Sequence, residues 1–198
     1  NMPTKDLHAD WRHVLDLKYG CNPHQVPAAL YARGEGELPF KVLNGTPGYI
    51  NLLDALNAWQ LVRELRHALD LPAAASFKHA SPAGAAVAVP LSETLQEVYG
   101  VTGRTLTPQA TAYVRARNAD PMSSFGDFAA LSDPVDEPTA EFLRGQVSDG
   151  LIAPGFTGKA LEILCAKKGG SFLVLQGDVD FRAPKEELRE VFGVGFRQ

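Results

Sequence analysis

The chain has 198 residues, 45% of them hydrophobic, with 19 Lys and Arg against 23 Asp and Glu. That length supports one main domain with a well-buried core, and a slightly acidic balance without a block of five like charges argues against a general nucleic-acid or membrane surface. No run of about 18 apolar residues and no charged-then-apolar leader is present, so neither a span nor a secretory signal is expected and a cytoplasmic address follows by default.

Cys21 and Cys165 are far apart and each lacks a CxxC partner, which disfavours a disulfide framework or a thiolate zinc site. Gly and Pro cluster in the first fifty residues. "YGCNPHQ" and "LNGTPGYIN" carry Asn-Gly and Pro-Gly pairs that bend a chain sharply, and loops of that kind hung on a sheet are where ligands are usually met.

From Leu52 to Leu69, Leu52, Leu56, Trp59, Val62 or Arg63, and Leu65 or Arg66 recur near a 3.6-residue period with charges between, which predicts a one-faced helix. Pro72 stops it, and "AAASF" at 73–77 suits a buried strand. Thr107-Pro108 reads as an N-cap and first helical residue for "QATAYVRARNA". Another helix is expected from Thr139 to Val147, a strand at Leu151 to Pro154, a helix over 155–168, a turn at Gly169-Gly170 and a strand at Phe172 to Leu175. Short apolar strands alternating with helices indicate an α/β sheet with helices packed on it.

Within this frame Lys78 and His79 follow the 73–77 strand directly. Ser81 then reads as an N-cap and Pro82 as a first helical residue, which puts the pair at a strand end beside a helix start. Ligands bind at such edges of open α/β sheets, and helix starts offer unpaired N–H groups to anions. Adjacent residues point to opposite faces of a regular strand, so both reach one ligand only if the strand ends at or between them. A lysine there can bind phosphate or stabilise an oxyanion, and a neighbouring cation keeps an imidazole neutral and able to accept a proton. Two residues alone favour the plainer reading, a solvated strand end for Lys78 and a hydrogen-bonded loop for His79.

Five longer stretches change that balance. "LKYGCNPHQ" (17–25), "VLNGTPGYINLLDALNAWQLV" (42–62), "AAASFKHASPAGAAV" (73–87), "MSSFGDFAALSD" (122–133) and "VSDGLIAPGF" (147–156) together resemble the formyltransferase part of the bifunctional purine-biosynthesis enzyme, the aminoimidazole carboxamide ribonucleotide (AICAR) transformylase. The resemblance runs in unbroken order from about residue 14 to 198. It implies formyl transfer from 10-formyltetrahydrofolate to the 5-amino group of AICAR. It also implies a fold of cytidine-deaminase-like α/β units, three-layered with helices on both faces of the sheet, here preceded by the Gly/Pro-rich N-terminal segment. The family's sites form across a homodimer interface and do not use the deaminases' zinc, in keeping with the absence of H-x-E and P-C-x-x-C from this chain. No metal ligand is therefore assigned.

Carried over by motif, His79 is the proton acceptor and Lys78 the transition-state stabiliser. Lys18, Tyr19, Asn51, Gly126 and Asp149 fall on the family's substrate-binding positions. Each of these last has a bland counterpart: Tyr19 as half-buried packing, Asn51 as a helix cap, Asp149 as a turn former, and Gly126 as relief of crowding between Phe125 and Phe128. Lys18 departs from the arginine usual in the family, trading a bidentate phosphate fork for a point charge. His24 reads as a loop-ordering residue, and His8, His13 and His67 as surface or packing residues.

The resemblance divides the chain into an N-terminal tail (1–13), a first deaminase-like unit (14–185) and the start of a connection (186–198) to a second unit that normally supplies most folate contacts, further AICAR contacts and the potassium ligands. Three readings stay open: a transformylase completed by a partner chain, a homodimer mate or a missing half; a module that binds an AICAR-type ribonucleotide without transfer; and an assembly subunit.

Overall fold

The computed structural model describes residues 11–198; His8 and most of the expected tail lie outside them. Strands β1 (Trp11–Leu17) and β2 (Ala28–Arg33) form an antiparallel ribbon of their own. The main sheet is built from β3 (Phe40–Asn44), β4 (Ala73–Lys78), β5 (Ser81–Val87), β6 (Asp127–Leu131), β7 (Ser148–Ala153) and β8 (Leu173–Gly177), in the spatial order β3-β8-β7-β6-β4-β5. Only β6, β7 and β8 run parallel; β3, β4 and β5 are each antiparallel to the neighbour that links them in. A terminal hairpin of β9 (Leu188–Val191) and β10 (Val194–Arg197) pairs with itself. The expected α/β class is observed, as a six-stranded mixed sheet.

Five α-helices occur among the described residues: α1 (Tyr49–Leu69), α2 (Glu93–Val98), α3 (Pro108–Ala119), α4 (Glu137–Arg144) and α5 (Gly158–Ala166). On one face of the sheet, α1 buries Leu52, Ala55, Ala58, Trp59 and Val62 against Ala75, Phe77, Phe128, Ala130, Ile152 and Leu175. On the other, α3, α4 and α5 bury Tyr113, Val114, Leu143 and Leu164 against Ala129, Leu131, Leu151 and Val174. Alternate residues of each strand thus feed opposite cores. At about 1.5–3 kcal/mol per fully buried large side chain, these two layers dominate the fold's stability. The inward stripe of α1 is centred on small residues, and the expected Leu56 and Leu65 sit only partly buried at its border.

Caps follow the sequence signals. The Thr107 hydroxyl accepts from Ala110 N–H with Pro108 opening α3, and Thr157 does the same for Ala160 in α5. The helix expected from Thr139 starts two residues earlier, because the Asp136 carboxylate, taking the Thr139 N–H at 3.1 Å, is the true cap. The expected turn at Gly169-Gly170 is present, and Lys168, Gly169 and Gly170 all pass through it with positive φ.

One expectation is overturned. Ser81 and Pro82 start no helix; they open β5, which folds straight back on β4. The reason is tertiary. A Cβ on Gly84 would lie 2.1 Å from the Ala116 carbonyl and 2.8 Å from the Ala119 Cβ, so this glycine lets the strand press onto α3. Pro82 is tolerated because β5 is an edge strand, and the register shifts there by one residue, a bulge at Ala83.

Candidate functional site

Because β4 runs against β6, its carboxyl end lies beside the amino ends of β6 and β7. β3 is antiparallel to β8, so its exit loop reaches this same edge, and α1 begins there. Asn44 secures the loop by donating to the Phe172 carbonyl at 2.7 Å and the Gly170 carbonyl at 3.0 Å. A cleft of about 310 Å³ opens at this edge, lined by Tyr19, Asn51, Asp54, Lys78, His79 and Asp149 together with Gly20, Cys21, Gly126 and the first turn of α1. It sits at the amino ends of the parallel strands, the opposite of the usual α/β arrangement, because the strand carrying the Lys-His pair runs the other way.

Lys78 and His79 sit in the tight β4–β5 hairpin. Lys78 pairs with Ser81, leaving His79 and Ala80 as a two-residue loop. Both have positive φ, 52° and 62°, the signature of a type I′ turn that ordinarily takes Asn-Gly. For residues with a Cβ, that conformation costs about 1–2 kcal/mol each. The turn answers how two adjacent residues address one cleft: the strand ends at Lys78, and His79 leaves it in the left-handed region.

Two contacts hold the turn. Lys78 Nζ donates to the Gly126 carbonyl at 2.7 Å, anchoring the ammonium over the entry to β6. Gly126 itself has φ +74°, and a Cβ there would meet Lys78 Nζ at 2.8 Å. The positive φ favours glycine at 126, and a side chain there would displace the Lys78 ammonium, where the sequence suggested relief of crowding between Phe125 and Phe128. Phe125 is exposed and Phe128 buried.

The second contact comes from Asp54. Buried on α1, it accepts the Ala80 N–H. Burial raises its pKa above the ordinary carboxylate value, opposed by that N–H and by the nearby His79 and Lys78, while Asp149 pushes it further up. Sequence reasoning did not single out Asp54. Its signal was a charged residue on the inward stripe of an amphipathic helix, three positions after Asn51 on the same side.

Asn51 Oδ1 accepts the Gly48 N–H at 3.1 Å, so its helix-capping role is realised. The same turn of α1 carries N–H groups that have no partner within the helix, and such groups, with the dipole's positive end, suit an anion. Asp149 is half-exposed and pairs with Lys168 at 2.9 Å. A pair so exposed is worth about 0–1 kcal/mol, so a ligand can readily take the carboxylate over. Tyr19 is half-buried in the cleft wall, whereas Lys18 is exposed and is not part of the lining. Six of the seven residues singled out in the sequence thus meet in one cleft. They present a cation, a helix start, an imidazole and a carboxylate to one cavity.

No group of three His, Cys, Asp or Glu arranged to hold a metal occurs among the described residues. No helix among them is long and apolar enough to cross a membrane.

Comparison with known proteins gives a consistent picture. The chain is 34% identical over 183 residues to the bifunctional purine biosynthesis protein PurH of Deinococcus radiodurans, covering 89% of this chain and 32% of that protein. It is 37% identical over 169 residues to PurH of Deinococcus deserti, covering 83% and 29%. It is 37% identical over 181 residues to PurH of Roseobacter denitrificans, covering 89% and 30%. The chain therefore spans about a third of the length of these relatives. A family model described as the AICARFT/IMPCHase bienzyme matches residues 1–198, and the chain belongs to that family, in its AICAR transformylase region.

Proposed function

We propose that the chain serves purine biosynthesis by carrying the lysine–histidine part of a formyl-transfer site, acting on AICAR with 10-formyltetrahydrofolate as donor. The observation that carries the reading is the two-residue turn that presents Lys78 and His79 to one cleft with Asn51, Gly126 and Asp149. In the reaction the AICAR amine attacks the formyl carbon and a C–N bond forms. His79 accepts the amine proton, and Lys78 offsets charge on the formyl oxygen. Collapse of the intermediate breaks the bond to folate N10, which leaves with a proton. The α1 start, with Lys18 and Tyr19 nearby, favours the phosphate end of the nucleotide.

Around Gly126 the surface beside the cleft carries exposed apolar residues: Phe125, 65% exposed, precedes it, Val147, 51% exposed, accepts its N–H, and Met122, 89% exposed, accepts the Phe125 N–H. That surface favours a further wall from a second unit or a homodimer mate, which would complete the folate side and carry any potassium ligands. The three-layer sheet then corresponds to the first cytidine-deaminase-like unit over 14–185, with 186–198 leading out of it, in a cytoplasmic enzyme. The same surface also supports the second reading, a module that binds an AICAR-type ribonucleotide without transfer.

Calorimetric AICAR binding and formyl transfer, measured with potassium present on the wild type, Lys78→Ala and His79→Ala, test the proposal. His79→Ala is expected to keep AICAR affinity within about threefold and to lose about 10²–10⁴ in turnover. Loss of binding with turnover per bound complex unchanged would sink its role as base. Wild-type binding without any turnover would establish the binding module instead.

A further inference from the structure

Beneath the cleft, on the α3 face of the sheet, lies a polar group in an otherwise apolar layer. The Asp127 carboxylate is fully buried. Its Oδ2 accepts from Ser76 Oγ at 2.6 Å and from Tyr113 OH at 3.0 Å. Arg117 Nη1 stands 2.8 Å from Oδ1, at an angle outside the hydrogen-bonding range, so this is an ion contact. The guanidinium reaches on: Nε donates to Gln146 Oε1 at 3.1 Å and Nη2 to the Val147 carbonyl at 3.0 Å. That carbonyl also accepts the Gly126 N–H at 2.9 Å. Ser76 Oγ and Ser124 Oγ lie within 2.8 Å of each other. Burial, then the Asp127 charge, keeps the Tyr113 phenol well above its ordinary pKa and hence a donor.

An ion pair buried this deeply adds little stability over apolar residues of the same volume, yet removing one partner is costly. What the pair does have is reach. It reaches three strands: β4 through Ser76, the start of β6 through Asp127 itself, and the entry to β7 through Val147, one residue before that strand. Lys78 comes two residues after the first, Gly126 one before the second, and Asp149 two after the third. Each of these lines the cleft.

We infer that Asp127 and Arg117 are positioning residues for the cleft. From the opposite face of the sheet they set where the Gly126 carbonyl holds the Lys78 ammonium and where β7 presents Asp149. They touch no ligand themselves. The inference rests on the proposed function for the meaning of the cleft, but the geometry it concerns can be read without a ligand.

The test uses protein labelled with 13C-lysine, with the Lys78 ε signal assigned by its loss in Lys78→Arg, and AICAR titrated by calorimetry. Arg117→Lys and Tyr113→Phe are compared with Val114→Ala, a core truncation on the same helix. Arg117→Lys is expected to move the Lys78 signal by more than its line width and to weaken AICAR binding at least tenfold. Tyr113→Phe should move the signal the same way by less, and Val114→Ala should leave both readouts unchanged despite its lower melting temperature. An unmoved Lys78 signal in Tyr113→Phe or in folded Arg117→Lys overturns the inference. So does an equal movement in Val114→Ala, which would show general loosening. Should Arg117→Lys fail to fold, Tyr113→Phe decides. Should the wild type not bind AICAR, the proposed function fails, while the Lys78 signal still decides the positioning role.

Discussion

Asp54 carries an unequal load for a single side chain: it is buried, its pKa is raised by that burial, and it accepts the amide of a turn that is strained at two consecutive residues. A carboxyl raised in the folded state holds its proton over a range in which the unfolded chain has already released it. The native state therefore binds more protons in that window, and stability falls as pH rises from the ordinary value of 3.8 through the higher folded value. Asp54→Asn keeps an acceptor for Ala80 and removes the charge. Its melting temperature should lack this decline, and superimposable pH profiles for the two proteins would refute the account. Asp54→Ala deletes the acceptor altogether, which costs about 1–3 kcal/mol in urea unfolding. That six of the seven residues carried over by motif meet in one cleft was legible because the motifs are long, whereas Asp54 had no motif: only burial on a helix face singles out a carboxylate there.

At the level of elements, α1, α3, β4, β7 and β8 were legible because their signals are local: Pro72, Thr107-Pro108 and runs of apolar residues. β5 was not. Ser81-Pro82 carries a helix-start signal, and nothing nearby in sequence contradicts it. The deciding contact lies more than thirty residues away, where Gly84 meets the backbone of α3 at Ala116. Gly84→Ala is accordingly expected to destabilise the fold by about 1–3 kcal/mol through overpacking, read as a lower midpoint in denaturant with an unchanged slope. A neutral result would mean that β5 can lift from α3 without cost. The same contact explains why the Lys-His pair sits in a hairpin: β5 is held in place by the helix, and the turn must close to reach it.

In the molecule as a whole, the cleft is assembled at one edge of the sheet from the ribbon loop, the α1 start, the hairpin turn and the amino ends of β6 and β7. The α/β class followed from alternating elements, but the antiparallel course of β4 did not, since strand direction depends on pairing that no local pattern encodes. The terminal hairpin stands apart from the sheet; Phe192 is fully exposed at its tip, and Arg33 donates to the Glu186 carbonyl just before it. Deleting 187–198 keeps that bond and should shift the melting temperature by no more than about 2–4 °C, the equivalent of about 1 kcal/mol for a chain this size. A larger fall would show that the hairpin supports the core. The left-handed turn has a longer consequence. Under the proposed function, folding and chemistry want different residues at position 79: glycine would relax the backbone, and only histidine offers the imidazole. In any lineage where the cleft falls idle, mutation should carry that position toward Gly or Asn, so the residue found there serves as a running record of whether the site is still in use.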